Sequence, residues 1–234
     1  MLSNKFIQRF VKASQIVFLT GNRLKTDDSI SGNIFTRQKF SFKEQRDANP
    51  EEFWQSIARA REKYARRKPN LGHYALVDLE HRFEDFTLIT TSIDGLHVLA
   101  GNRKLIELKG NLFRNRCLQC NHVFEQKDAL LPICPECGSG DVLPDVLQEK
   151  EMPDAAKLKE AQRVSAEAEV FVTAGFNDAN KDIKALPFIA KANGAYLLEI
   201  NRQQSEFSSA MDEMIEGNPA KLLTAIVLLL EKIQ

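Results

Sequence analysis

Short apolar runs punctuate this chain at QIVFLTG (residues 15–21), FTLITT (86–91), KLIELK (104–109), EVFVTAG (169–175) and GAYLLEIN (194–201). Runs of this length, several closed by glycine, fit strands buried on both faces of a parallel sheet. Between and after them, apolar positions recur at helical spacing over residues 50–68, 154–168, 182–192 and 219–232. Phe6, Ile7, Phe10 and Val11 mark an amphipathic first helix. Trp54, Phe53 and Ile57 form the buried stripe of the helix that begins at Pro50. Strands alternating with helices predict an α/β fold, a Rossmann-like parallel sheet with helices on both faces. Residues 22–49 are polar and without clear periodicity, and read as a long loop of the kind that covers a ligand site.

The alternation breaks once, over residues 111–147, and all four cysteines lie there: Cys117 and Cys120 in CLQC, Cys134 and Cys137 in CPEC. Each CxxC turns two thiolates toward one point, and two such knuckles complete a tetrahedral sulfur cage suited to zinc. Four protein ligands leave no open coordination position, so the metal is expected to be structural. Two disulfides fit poorly with a chain whose N-terminus has no export signal. The expected organisation is therefore a discontinuous large domain, 1–110 and 148–234, with a loop and helical insert around 22–68. A small zinc-ribbon domain, 111–147, interrupts it.

Composition narrows the partners. Lys plus Arg and Asp plus Glu number 32 each, so no global field draws in nucleic acid or an anionic membrane. The basic run at 59–68 is expected to be a solvated helix face. LLTAIVLLL (222–230) falls far short of the roughly 20 residues that span a bilayer. A cytoplasmic protein is expected, meeting a small anionic ligand or a protein partner.

With these residues in view, the chain resembles the sirtuins, the NAD-dependent protein deacylases. The resemblance rests on LTG (19–21), KPNLGHYALVDLE (68–80), IDGLHVLAG (93–101), LIELKGNLFRNRC (105–117), the zinc knuckles, LPDV (143–146), LPFIAKANGAYLLEIN (186–201) and IEGNPAKLL (215–223), all in the family's order. It implies a sirtuin-like fold, zinc, and an NAD site to which Gly21, Arg23, Asp94, Gly175, Asn177 and Asn201 would contribute. His73 and His97, inside matching segments, read as structural histidines, whereas His81 and His122 have no companion.

The departures bear on chemistry. The family's glycine-alanine-glycine turn is Gly21-Asn22-Arg23 here, where the arginine either fills ligand space or offers a fork to another anion. Threonine-glutamine-asparagine becomes Thr90-Thr91-Ser92, although Asp94 survives, to hold ligand or to brace its loop. Glycine-threonine-serine becomes Gly175-Phe176-Asn177. Gln148-Glu149-Lys150 stand where an apolar, glycine-containing lip would capture the acylated peptide. Above all, Lys109 occupies the place of the general-base histidine. A lysine with the ordinary pKa near 10.4 does not accept a ribose proton at neutral pH, and Glu107 and Asp94 are its expected charged neighbours. Damage at four parts of one mechanism points to a ligand sensor or partner protein without conventional deacylation. The alternative is a divergent enzyme using NAD, with Ser92, Asp94 and Lys109 in altered roles in deacylation or ADP-ribosyl transfer.

Overall fold

The computed structural model describes residues 2–24, 41–125, 131–148 and 151–233. Six parallel strands make the main sheet: β1 (Gln15–Thr20), β2 (Asp85–Thr90), β3 (Leu105–Glu107), β7 (Val170–Ala174), β8 (Tyr196–Asn201) and β9 (Glu213–Glu216), in the order β3-β2-β1-β7-β8-β9. The chain builds outward from β1 in one direction and then restarts beside it with β7. The order therefore reverses between β1 and β7, the position at which open α/β sheets form a ligand crevice outside the strand ends.

Alternation along β1 divides the core. Ile16 and Phe18 face one cluster, with Phe6, Phe10, Leu76, Leu79, Leu223 and Ile226. Val17 and Leu19 face the other, with Ala161, Val164, Ile183 and Leu186. Helices α1 (Asn4–Lys12), α4 (Leu71–Arg82) and α8 (Pro219–Ile233) thus cover one face, and α6 (Ala155–Glu167) and α7 (Lys181–Ala192) the other. The caps follow from sequence: Ser3, Asn70, Asp154 and Asn180 each accept an N–H of the first turn of α1, α4, α6 and α7.

The second sheet is antiparallel and small: β4 (Gly110–Cys117) lies between β5 (Val123–Phe124) and β6 (Val142–Val146). It shares a third core with two helices of the insert, α2 (Phe42–Ala48) and α3 (Pro50–Ala65). Phe42, Phe53, Trp54, Ile57 and Tyr64 pack there against Leu112, Cys117, Cys134 and Val142. The expected long loop is therefore corrected at both ends. Residues Asn22–Leu24 form a 3-10 turn and Phe42–Ala48 a helix with a Ser41/Glu44 capping box, while residues 25–40 lie outside the described set. Among the described residues, no helix is long and apolar enough to cross a membrane.

Candidate functional site

The four cysteines converge. Their Sγ atoms all lie within 4.8 Å of one another, with Cys117–Cys137 and Cys120–Cys134 at 3.6 Å. Those separations exceed a disulfide bond of about 2.05 Å and match the roughly 3.8 Å edge of a tetrahedron built on Zn–S bonds of about 2.3 Å. The donor set therefore fits structural zinc. The cage is braced from outside, because buried Arg46 of α2 pairs with Asp141 at 2.6 Å and donates to Val142 O at 3.1 Å.

At the crevice, the turns after β1 and β7 touch. The Arg23 N–H donates to Gly175 O at 3.1 Å. A Cβ on Gly21 would lie 2.8 Å from Gly175 O, and one on Gly175, where φ is +59°, would lie 2.5 Å from Leu24 N. Glycine is required at both positions for this approach. The Arg23 side chain is exposed, as is Asn177. Asn201 is buried and donates to Phe176 O at 3.3 Å, so its amide braces the turn after β7. Asp94 is buried after β2, where Oδ1 accepts the Leu96 N–H at 3.2 Å and supports the start of α5 (Leu96–Ala100). Ser92 reaches Asn22 Oδ1 at 3.3 Å.

Lys109 does not pair with Glu107 or Asp94. Its Nζ lies 2.7 Å from Oδ2 of Asp178, a residue that no sequence motif singles out. Glu107 is engaged elsewhere, by Arg114 at 2.6 Å and by Asn111 Nδ2 at 2.8 Å. The expectation fails because Glu107 is held by side chains of β4 and Asp94 by the start of α5.

A buried polar chain runs beneath the crevice. His97 Nε2 and Thr20 Oγ1 are 3.0 Å apart, Thr20 Oγ1 donates to Thr90 Oγ1 at 3.0 Å, and Thr90 Oγ1 accepts the Ser92 N–H at 3.1 Å. Burial, with the neighbouring His73 ring at 4.7 Å, holds His97 down to about 3, and Asp94 opposes the shift. His97 is thus a neutral strut, in keeping with its reading as structural.

The basic run at 59–68 is not a solvated face throughout. Arg61 donates to Leu112 O at 2.8 Å, Arg114 O at 3.2 Å and Asn115 Oδ1 at 2.6 Å, fastening α3 to β4, and burial lowers its pKa to about 10. Arg67 lays its guanidinium 3.8 Å over the Tyr64 ring. Its two terminal nitrogens are buried with no hydrogen-bond partner among the described residues. Arg61 falls at helical spacing with Trp54, Ile57 and Tyr64 on the buried stripe, whereas Arg59, Arg66 and Lys68 are exposed. At the lip, Gln148 accepts the Phe42 N–H at 2.7 Å and donates to Glu151 at 2.9 Å, whereas Glu149 and Lys150 lie outside the described residues.

A doubly wound sheet with a reversal of strand order, carrying a four-cysteine module whose donor set fits a metal, defines a Rossmann-type protein with a small insert. The Sir2 family model matches residues 27–178. An NAD-dependent protein deacylase of Aquifex aeolicus is 34% identical over 209 residues, covering 84% of this chain and 87% of the relative. One of Leptospira interrogans serogroup Icterohaemorrhagiae serovar Lai is 35% identical over 200 residues, covering 83% and 78%. A solved Sir2 homolog in complex with NAD superposes with a TM-score of 0.85 at 27% identity, covering all of this chain and 95% of that one. The chain belongs to the Sir2 family.

Proposed function

We propose that this Sir2-family protein takes a small phosphate-bearing ligand, NAD or another nucleotide, in its crevice and serves as a ligand sensor or partner protein without completing deacylation. One observation carries the reading: the residue at the base position, Lys109, is ion-paired with Asp178 at 2.7 Å. An ammonium group has three donors and no lone pair, so it cannot take a proton from a ribose hydroxyl.

Other observations support it. The Arg23 N–H, which a phosphate turn would aim at its ligand, is taken up by Gly175 O. The Asn201 amide is turned onto Phe176 O, and Gln148 at the lip is tied to α2 and Glu151. The guanidinium ends of Arg67, buried over the Tyr64 ring without a hydrogen-bond partner among the described residues, favour an anionic group there. Gly21, Asp94, Gly175, Asn177 and exposed Arg23 are the residues that would hold NAD. When bound, NAD supplies a ribose carbon activated by its nicotinamide leaving group; the chain's own part is to seat the phosphates and shield the site from water.

The test is calorimetric titration of the zinc-loaded protein with NAD, alongside deacylation of acyl-lysine peptides. Saturable binding with no deacylation is expected, and Lys109→His alone should not restore it. Deacylation by the unaltered protein, or its recovery in Lys109→His, would overturn the reading. The relatives named as NAD-dependent deacylases favour a second reading, a divergent enzyme that consumes NAD. Nicotinamide release without deacylation would select it.

A further inference from the structure

Nothing in the sheet itself requires Lys109 and Asp178 to meet. Lys109 lies just past the end of β3 and Asp178 just past the end of β7, and β2 and β1 stand between those strands. With strands about 4.8 Å apart, the ends of β3 and β7 are separated by about 14 Å. The chain leaving β3 stays tied to the end of β2, where the Leu108 N–H donates to Thr90 O at 3.0 Å, one rung past the paired residues. The Lys109 side chain then reaches past the end of β1 to Asp178. The ion pair therefore lies over the reversal of strand order, where open α/β sheets take their ligands.

The two ends of the contact differ. The Asp178 side chain is 3% exposed, and its Oδ1 accepts the Asn180 N–H at 2.9 Å beside the first turn of α7. It keeps that hydrogen bond and the favourable helix terminus when the ammonium leaves. The Lys109 side chain is 24% exposed, long and flexible, so its head group re-enters water readily. One end is fixed and keeps its hydrogen bond at Oδ1, and the other is loose and easily hydrated.

We infer that the Lys109–Asp178 pair is a strap across the crevice, which a phosphate-bearing nucleotide opens by drawing Lys109 away from Asp178. This rests on the reading that the crevice takes such a ligand. The binding-competent form is then the unstrapped one, and affinity is reduced by the fraction of molecules that are strapped.

The test is calorimetric titration of the full, zinc-loaded chain with ADP-ribose, which carries the pyrophosphate and cannot release nicotinamide. Asp178→Asn keeps the side-chain shape while removing its charge, and should tighten binding about tenfold, equivalent to about 1.4 kcal/mol. The same substitution made in a Lys109→Met background has no strap to release and should alter affinity less than about twofold. Equal tightening in both backgrounds would mean only that a negative charge near the phosphates had been removed, and the strap would be rejected. No tightening in either background, including no binding at all, rejects it as well. Should Asp178→Asn not fold, Asp178→Ser retains an acceptor for the Asn180 N–H and takes its place. Deacylation by the unaltered protein would sink the functional reading while leaving this double-mutant cycle interpretable.

Discussion

Acid should unfold this protein through His97. In the folded chain burial and the adjacent His73 hold His97 down to about 3, whereas in the unfolded chain it titrates at its ordinary 6.5. A depressed histidine makes the unfolded state the better proton acceptor, so the contribution to stability is fully present above pH 6.5 and is lost as pH falls toward 3. At 1.36 kcal/mol per unit, moving from pH 7 to pH 5 removes about 2 kcal/mol, a large part of the stability of an ordinary domain. The comparison needed is His97→Gln, which keeps a polar group near Thr20 but does not titrate. Urea unfolding followed by far-UV circular dichroism at pH 7 and pH 5 gives the loss for each protein. Protonation of the cysteine thiolates also weakens metal binding in acid, but both proteins share that term and it drops out of the difference. The unaltered protein should lose about 2 kcal/mol more than the variant. Equal losses would show that His97 is hydrated or already charged in the folded state, and the account of the buried chain through Thr20 and Thr90 would be wrong.

Two glycines with the same backbone angle should respond differently to alanine. Gly110 and Gly138 both have φ +72°, but a Cβ at Gly110 would fall 2.0 Å from Asp145 O, whereas nothing lies within 4 Å at Gly138. Gly110→Ala should cost at least about 3 kcal/mol and Gly138→Ala about 1 to 2, measured by urea unfolding. Comparable costs would mean that β4 and β6 shift apart freely. Removing zinc with a chelator should abolish hydrogen-exchange protection in β4, β5 and β6. Protection of α2 should fall with them, because Arg46 loses the ordered Asp141 and Val142 O, while β1 and β7 stay protected. Unchanged protection in α2 would refute the linkage.

The residues that set the main sheet were legible because strands buried on both faces need continuous apolar sequence, as in IVFL and VFVTA. β9 was not, since of EMIE only Ile215 is buried and the strand lies at an edge. α4 hid for the opposite reason. It exposes Leu71 and Tyr74 and buries His73 and Glu80 beside Leu76 and Leu79, Glu80 accepting from Arg103 and Lys104 N–H groups, so its apolar stripe is blurred. The cysteine cage could be read from spacing, because a CxxC turn is a local geometric constraint. The partner of Lys109 could not, because Asp178 becomes its neighbour only after the sheet has brought β7 beside β1. Arg61 reads as one more member of a basic run, although its spacing from Ile57 and Tyr64 puts it on the buried stripe that meets β4.

The pairing of β1 with β7 joins segments about 150 residues apart. During synthesis β1 can acquire β2 and then the cysteine module, but its other edge has no partner until the last third of the chain emerges. Long-range pairing of this kind is slow, and an open apolar edge invites association with other chains. The crevice does not exist in any shorter intermediate, since one wall of it is made by the turn after β7. Ligand binding at that reversal would thus report completion of the sheet, and a nucleotide present during folding could stabilise only molecules that had already passed the slowest step.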